Sequence, residues 1–168
     1  MVLQTLRKGV YPVALRVFRR LPPHVRRTLV RLGTPGFTVG AVALIEHEGE
    51  LLFLRQPHRV GWSLPGGLLD TGETAAVGVE REVLEETGLR VRVGMPLTVQ
   101  VNSRLRRVDV IYHVAAHPRP PVTPGGEAEG FEWMPPGRVP EMDGSTREIL
   151  DVFSRTRQEG GQLGRLLE

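Results

Sequence analysis

Glu82, Glu85 and Glu86 fall within one short stretch of this 168-residue chain. Residues Thr74 to Thr87 read as a helix, with Gly88 placed as its C-terminal stop. On a helix the three glutamates occupy positions i, i+3 and i+4, so they share one face and lie within about 6 Å of each other. Three like charges so close repel, and such pairs destabilise an isolated helix. A divalent cation between them removes that repulsion. Ligation by carboxylates, without Cys or His, suits a hard ion: Mg2+, with Mn2+ as the alternative. Magnesium usually keeps waters and completes its shell with substrate phosphates, which points to a phosphorylated substrate. The competing account is a solvated acidic helix face. The Pro65-Gly66-Gly67 loop ahead of the helix and Arg81 beside the glutamates weigh against it.

The glutamates belong to a longer pattern. Gly67 to Leu89 reads GLLDTGETAAVGVEREVLEETGL. Gly67, Glu73, Arg81, Glu82, Glu85, Glu86 and Gly88 occupy every fixed polar and glycine position of G-x5-E-x7-R-E-U-x-E-E-x-G-U, where U is apolar. The segment resembles the Nudix box, and the resemblance to the Nudix hydrolase superfamily covers roughly residues 36–156. It implies an α/β fold: a Nudix-type α/β/α sandwich with a mixed central sheet, to which this chain adds an N-terminal helical extension. It implies that Glu82, Glu85 and Glu86 bind metal, together with the backbone carbonyl of Gly66. Arg81 matches an arginine that orients a glutamate, a task its planar fork suits. Glu73 matches a structural loop glutamate. Glu82 matches a residue that ligates metal in some members and activates water in others.

The general base stays open between Glu82 and a residue outside the box. Many members supply one more glutamate just before a strand carrying a Trp. Gly125 to Trp133 fits that pattern, with Glu127, six residues before Trp133, as the better match for base and further metal ligand, and Glu129 second. An ordinary acidic loop is the alternative. Gly78, where the box helix more often has alanine, is expected to permit close packing against the sheet.

The resemblance implies hydrolysis of a nucleoside diphosphate linked to a moiety X. Products are a nucleoside monophosphate and phosphorylated X, or a monophosphate and pyrophosphate from a triphosphate. The alternatives are an RNA 5′-end pyrophosphohydrolase and a non-catalytic nucleotide-sensing module. The proline about sixteen residues past the box that marks the ADP-ribose branch is absent, since Arg104 stands there, and Tyr112 lies too far along for the diadenosine-polyphosphate branch. The MutT-like branch is favoured. Candidate substrate contacts are Arg55, His58, Arg59, Trp62 as a stacking surface, and Arg104, with Arg106 and Arg107 on the same hairpin. Core packing is the competing role for Trp62, and solvated surface charge for the arginines. Asp109, in an apolar strand, is expected to be paired or close to metal.

The elements that must position these groups follow from periodicity and turn residues. Phe37 to Glu46 is an apolar run fit for a central strand. Leu51 to Arg55 pairs with it through the Glu48-Gly49-Glu50 turn. Trp62 to Leu64, Val91 to Asn102, Arg106 to Ala116 and Gly130 to Met134 read as further strands. Ser145-Thr146-Arg147-Glu148 reads as a capping box opening a last helix. Residues from Gly160 onward are expected to fray.

Domain expectations are a basic helical extension over 1–35, the hydrolase domain over 36–160 and a tail over 161–168. Before Glu46 there are eight Lys or Arg residues and no Asp or Glu; the rest of the chain carries fourteen basic and nineteen acidic residues. The extension reads as two amphipathic helices, Pro12 to Leu21 and His24 to Leu32. Packing on the domain or on a second subunit in a homodimer is favoured over nucleic-acid or membrane contact and over a poorly ordered arm. With no cysteine, disulfides and Cys-based zinc sites are excluded. No apolar run approaches the roughly 20 residues of a membrane helix, and a cytoplasmic enzyme of small nucleotides is expected.

Overall fold

The computed structural model describes residues 16–34, 36–156 and 164–166. The chain divides into two compact units, Met1–Gly36 and Phe37–Glu168. In the first, residues 16–20 are helical and α1 spans Pro23–Gly33, with Pro23 in its first turn where a missing N–H costs nothing. The beginning of the expected first helix lies outside the described residues.

The second unit is built on one mixed sheet. Its centre is the parallel pair β1 (Thr38–His47) and β7 (Arg107–Ala115), in register from Thr38 opposite Arg107 to Glu46 opposite Ala115. Each of these strands divides its outer edge between two partners. On β1, the later residues pair with β2 (Glu50–Arg55) and the earlier ones with β4 (Gly66–Leu68), both antiparallel. On β7, the earlier residues pair with β6 (Thr98–Asn102) and the later ones with β9 (Gly164–Leu166). β3 (Trp62–Ser63) and β8 (Gly130–Met134) pair with β2, and β5 (Val91–Arg92) pairs with β9. The β1–β2 turn has Glu48 at φ 49° and Gly49 at φ 86°. Two successive positive φ angles are what a two-residue turn matched to strand twist requires.

The alternation along β1 shows why it reads as an unbroken apolar run. Ala41, Ala43 and Ile45 face one layer and Val42 and Leu44 the other. The first layer holds Val79 and Val83 of α2 (Ala75–Thr87), the helix that carries the glutamates. The second holds Ile149, Leu150 and Phe153 of α3 (Gly144–Thr156). Helices cover both faces, so the architecture is the expected α/β/α sandwich.

Three expectations are corrected. Val91 to Asn102 is two strands: Pro96 has no N–H to donate to a ladder, and the Val93 amide instead bonds a Glu80 oxygen at 3.0 Å. The cap of α3 is Asp143 rather than Ser145; its Oδ1 accepts from the Thr146 amide at 2.6 Å. Glu148 closes no capping box and accepts from Gln100 at 2.7 Å and Asn102 at 3.2 Å on β6. Gly164–Leu166, within the segment expected to fray, is a strand inserted between β7 and β5.

Candidate active site

Helix α2 is fixed at both ends. The Thr74 hydroxyl accepts from the Val77 amide at 3.4 Å, and Gly88, at φ 70°, turns its amide to the Leu84 carbonyl at 3.0 Å. The last carbonyls of a helix lack intrahelical partners. Here the amides of Gly125 and Thr123 meet those of Glu86 and Thr87 at 3.1 and 2.9 Å. That docking fastens the loop carrying Glu127 to the end of the helix carrying the glutamates. A Cβ on Gly125 would stand 2.6 Å from the Glu85 carbonyl oxygen, so only glycine allows the approach. A Cβ on Gly78 would stand 2.4 Å from Leu69 Cδ2 and 3.0 Å from Glu73 Oε2, so the close contact is with the loop after β4 rather than with the sheet.

Strand β4 brings the loop glycines against the helix. Gly66 lies at φ 138°, and a Cβ there would stand 2.2 Å from the Ala41 carbonyl oxygen. A Cβ on Gly67 would stand 2.4 Å from Glu82 Oε1. The two glycines therefore let backbone and carboxylates share one cleft of about 650 Å³, lined by Glu82, Glu85, Glu86, Arg81 and Glu127 among others.

Arg81 organises the acidic side. Its Nε bonds Glu73 at 3.0 Å and its Nη1 bonds Glu82 at 2.9 Å and Glu85 at 3.2 Å. Hydrogen bonding to Glu73 holds the guanidinium pKa above its ordinary value, and Glu82 adds to the effect. The same bond to Arg81, with the Asp70 amide behind it, holds Glu73 below the usual carboxylate range.

Glu86 behaves differently from its neighbours. It shares a helix face with Glu82 and Glu85, yet it is only 6% exposed. Its Oε2 accepts from the Gly66 amide at 2.9 Å and its Oε1 from the Gln56 side-chain amide. Burial pushes its pKa up to about 7; the Gly66 bond opposes this, and the nearby Glu82 charge adds to it. Gln56 and Ser63, both buried, escaped the sequence reading. The Ser63 hydroxyl donates to Gln56 Oε1 at 3.1 Å, which leaves the Gln56 amide nitrogen for Glu86. Only the approach of Gln56, just past β2, to Ser63 of β3 reveals this, because neither residue type signals it alone.

The remaining candidates separate. Arg59 lines the cleft and pairs with Asp143 at 3.2 Å, so the residue capping α3 also holds a cleft arginine. Arg107 lines it as well and pairs with Asp109 at 2.7 Å. His58 lies at the mouth with its Nδ1 3.0 Å from Glu127 Oε2. Arg55 and Trp62 do not line the cleft; the Arg55 guanidinium stands 5.9 Å from the Trp62 ring, and Trp62 packs on the α3-side core. Arg104 is exposed in the β6–β7 turn, away from the cleft lining.

Among the described residues no three carboxylate or histidine side chains stand converged as a closed metal cage. The reason is visible: Arg81 holds Glu82 and Glu85, and Gln56 and Gly66 hold Glu86. The donor set is nonetheless all oxygen and anionic, with one carboxylate buried at a cost that a cation would offset. It fits a hard divalent ion.

A family profile for the NUDIX domain matches residues 34–153. A MutT-like protein of Streptomyces ambofaciens is 34% identical over 101 residues, 60% of this chain and 65% of its own. A CMP-5′-(N-acetyl-N-hydroxy-3-aminopropyl)phosphonate hydrolase of Streptomyces rubellomurinus is 33% identical over 119 residues, 65% of this chain and 57% of its own. The chain thus spans less than two thirds of either relative. The crystal structure of MutT from Methanosarcina mazei Go1 superimposes with a TM-score of 0.62 at 27% identity, covering 74% of this chain and 95% of that one.

Proposed function

This chain belongs to the Nudix family, enzymes that hydrolyse phosphorus-containing acid anhydrides, and we propose that it cleaves the pyrophosphate link of a small nucleoside di- or triphosphate derivative with Mg2+. The observation that carries the reading is the shared cleft: Glu82, Glu85 and Glu86 on one side, Arg59 and Arg107 among the other lining residues. Glu85, Glu86 and Glu82, with the Gly66 carbonyl, would hold the ion. When bound, it neutralises the diphosphate and makes water nucleophilic.

The protein's own groups do the rest. Arg81 holds Glu82 and Glu85 in place. Gln56 and the Gly66 amide fix Glu86 in one rotamer. Glu82 and Glu127 are the two candidates to take the proton from the attacking water. Arg59 and Arg107 offer planar forks to phosphate oxygens, each aimed by its own carboxylate, Asp143 or Asp109. Arg59 and Arg107, beside the Arg81 already engaged by the glutamates, favour a substrate whose X is itself anionic, such as a nucleoside triphosphate. The likeness to a CMP-phosphonate hydrolase supports an NMP-linked X as the other choice.

The test is product analysis on nucleoside triphosphates, CMP-linked phosphonates, nucleotide sugars and triphosphorylated RNA with Mg2+, alongside Glu86→Gln. Turnover of one small nucleotide class by wild type alone is expected. No cleavage by a folded, metal-loaded protein, or cleavage of RNA ends only, overturns the proposal.

A further inference from the structure

The N-terminal unit has a surface that hydrolysis does not use. Between residues 16 and 33 the chain carries Arg16, Arg19, Arg20, Arg26, Arg27 and Arg31 and no acidic residue. Within the unit its apolar side chains are left uncovered: Val17 is 57% exposed and Leu32 80%, with Leu29 and Val30 about half exposed. On α1, Val25, Leu29 and Leu32 follow one another at i, i+4 and i+7 and so share a stripe, while Arg26 and Arg27 lie off it. Phe18, Pro23 and Val30 form an open groove of about 480 Å³ together with Arg26 and Arg27. The Arg26 Nε is buried there with no hydrogen-bond partner.

We propose that this unit is a reversible anchor for an anionic lipid surface. A short helix with a strong apolar stripe, low overall hydrophobicity and an arginine-rich polar face is the design that lies in the plane of a bilayer interface. The arginines lie beside the apolar residues, so one contact inserts leucines below the headgroups while guanidinium forks meet lipid phosphates. RNA would satisfy the arginines but leave Val17, Leu29 and Leu32 in water. A second copy of the unit would cover the leucines but oppose like charges with no carboxylate to relieve them. An anionic bilayer answers both features. No helix of the described residues is long and apolar enough to cross a membrane. The residues after Ile45 carry a net negative charge, fourteen basic against nineteen acidic, so attraction to such a surface has to come through this unit.

The experiment is co-sedimentation of the full chain with vesicles of phosphatidylcholine alone or with about one third phosphatidylglycerol. Wild type should bind the anionic vesicles at least roughly tenfold more tightly. Binding should fall steeply toward ~1 M salt, where the screening length is about 3 Å. Leu29→Asp with Leu32→Asp removes the apolar stripe; Arg26→Glu with Arg27→Glu reverses the charge. Each double variant should abolish sedimentation while turnover of a soluble nucleotide stays as in wild type, which also reports that the hydrolase unit is folded. Equal binding to neutral vesicles, binding to RNA without binding to vesicles, or concentration-dependent dimers with no vesicle binding would each overturn the proposal.

Discussion

Glu86 combines two properties that pull against each other: it is buried, and the proposed chemistry needs it charged. Its folded pKa, about 7, lies above the ordinary 4.5, so protonation stabilises the metal-free fold. That stabilisation is complete below about pH 4.5 and is lost as pH rises through about 7. A bound cation favours the ionised form, so added Mg2+ should raise the melting temperature little at pH 5 and clearly at pH 8. Melts with and without Mg2+ across that window check this, and an equal rise at both ends would contradict it. Glu86→Gln should lower kcat by ~10²-fold or more, because charge stabilisation worth several kcal/mol depends on the ion. The same variant should leave the metal-free protein at pH 8 at least as stable as wild type, since it removes a costly buried charge. Gln56→Leu should weaken apparent Mg2+ affinity by roughly 10- to 100-fold, the usual cost of losing a partner that orients a ligand. Isothermal titration of Mg2+ would read it.

Among the elements, α3 has a role that reaches beyond packing. Asp143 caps it through the Thr146 amide and holds Arg59 with its other oxygen. Asp143→Ala should cost about 1 kcal/mol of stability from the lost cap and raise KM through Arg59. Asp143→Asn keeps a good cap residue and removes the ion pair. It should retain stability and raise KM alone, which denaturation and steady-state kinetics can separate. Wild-type kinetics in both variants would show that Arg59 needs no partner to act.

For the molecule as a whole, the sheet depends on its last strand. β9 sits between β7 and β5 and is the partner through which β5 joins the sheet path. Ending the chain after residue 156 should lower the melting temperature by on the order of 5 °C or more and expose the Val91 and Arg92 amides to hydrogen exchange. Retained protection there would mean that β5 is held by α2 alone. The two units carry opposite charge, so salt should affect lipid contact and nucleotide turnover independently.

What could be read from the sequence was whatever depends on local spacing. The i, i+3, i+4 glutamates, the Thr74 and Gly88 ends of their helix and the β1–β2 turn are all set by neighbours a few residues away. So is the alternation that sends Ala41, Ala43 and Ile45 to one layer and Val42 and Leu44 to the other. Registers between distant segments were not legible. Gln56 reaches Glu86 only because the end of β2 and α2 meet in space, Arg107 enters the cleft only because β7 lies parallel to β1, and Asp143 rather than Ser145 caps α3 because the helix starts at Gly144, which leaves Ser145 inside it. The burial of Glu86 belongs to the same class. Helical spacing placed it on a face with Glu82 and Glu85, but only the sheet, the Gly66 strand and the docked Gly125 loop decide which of the three loses its water.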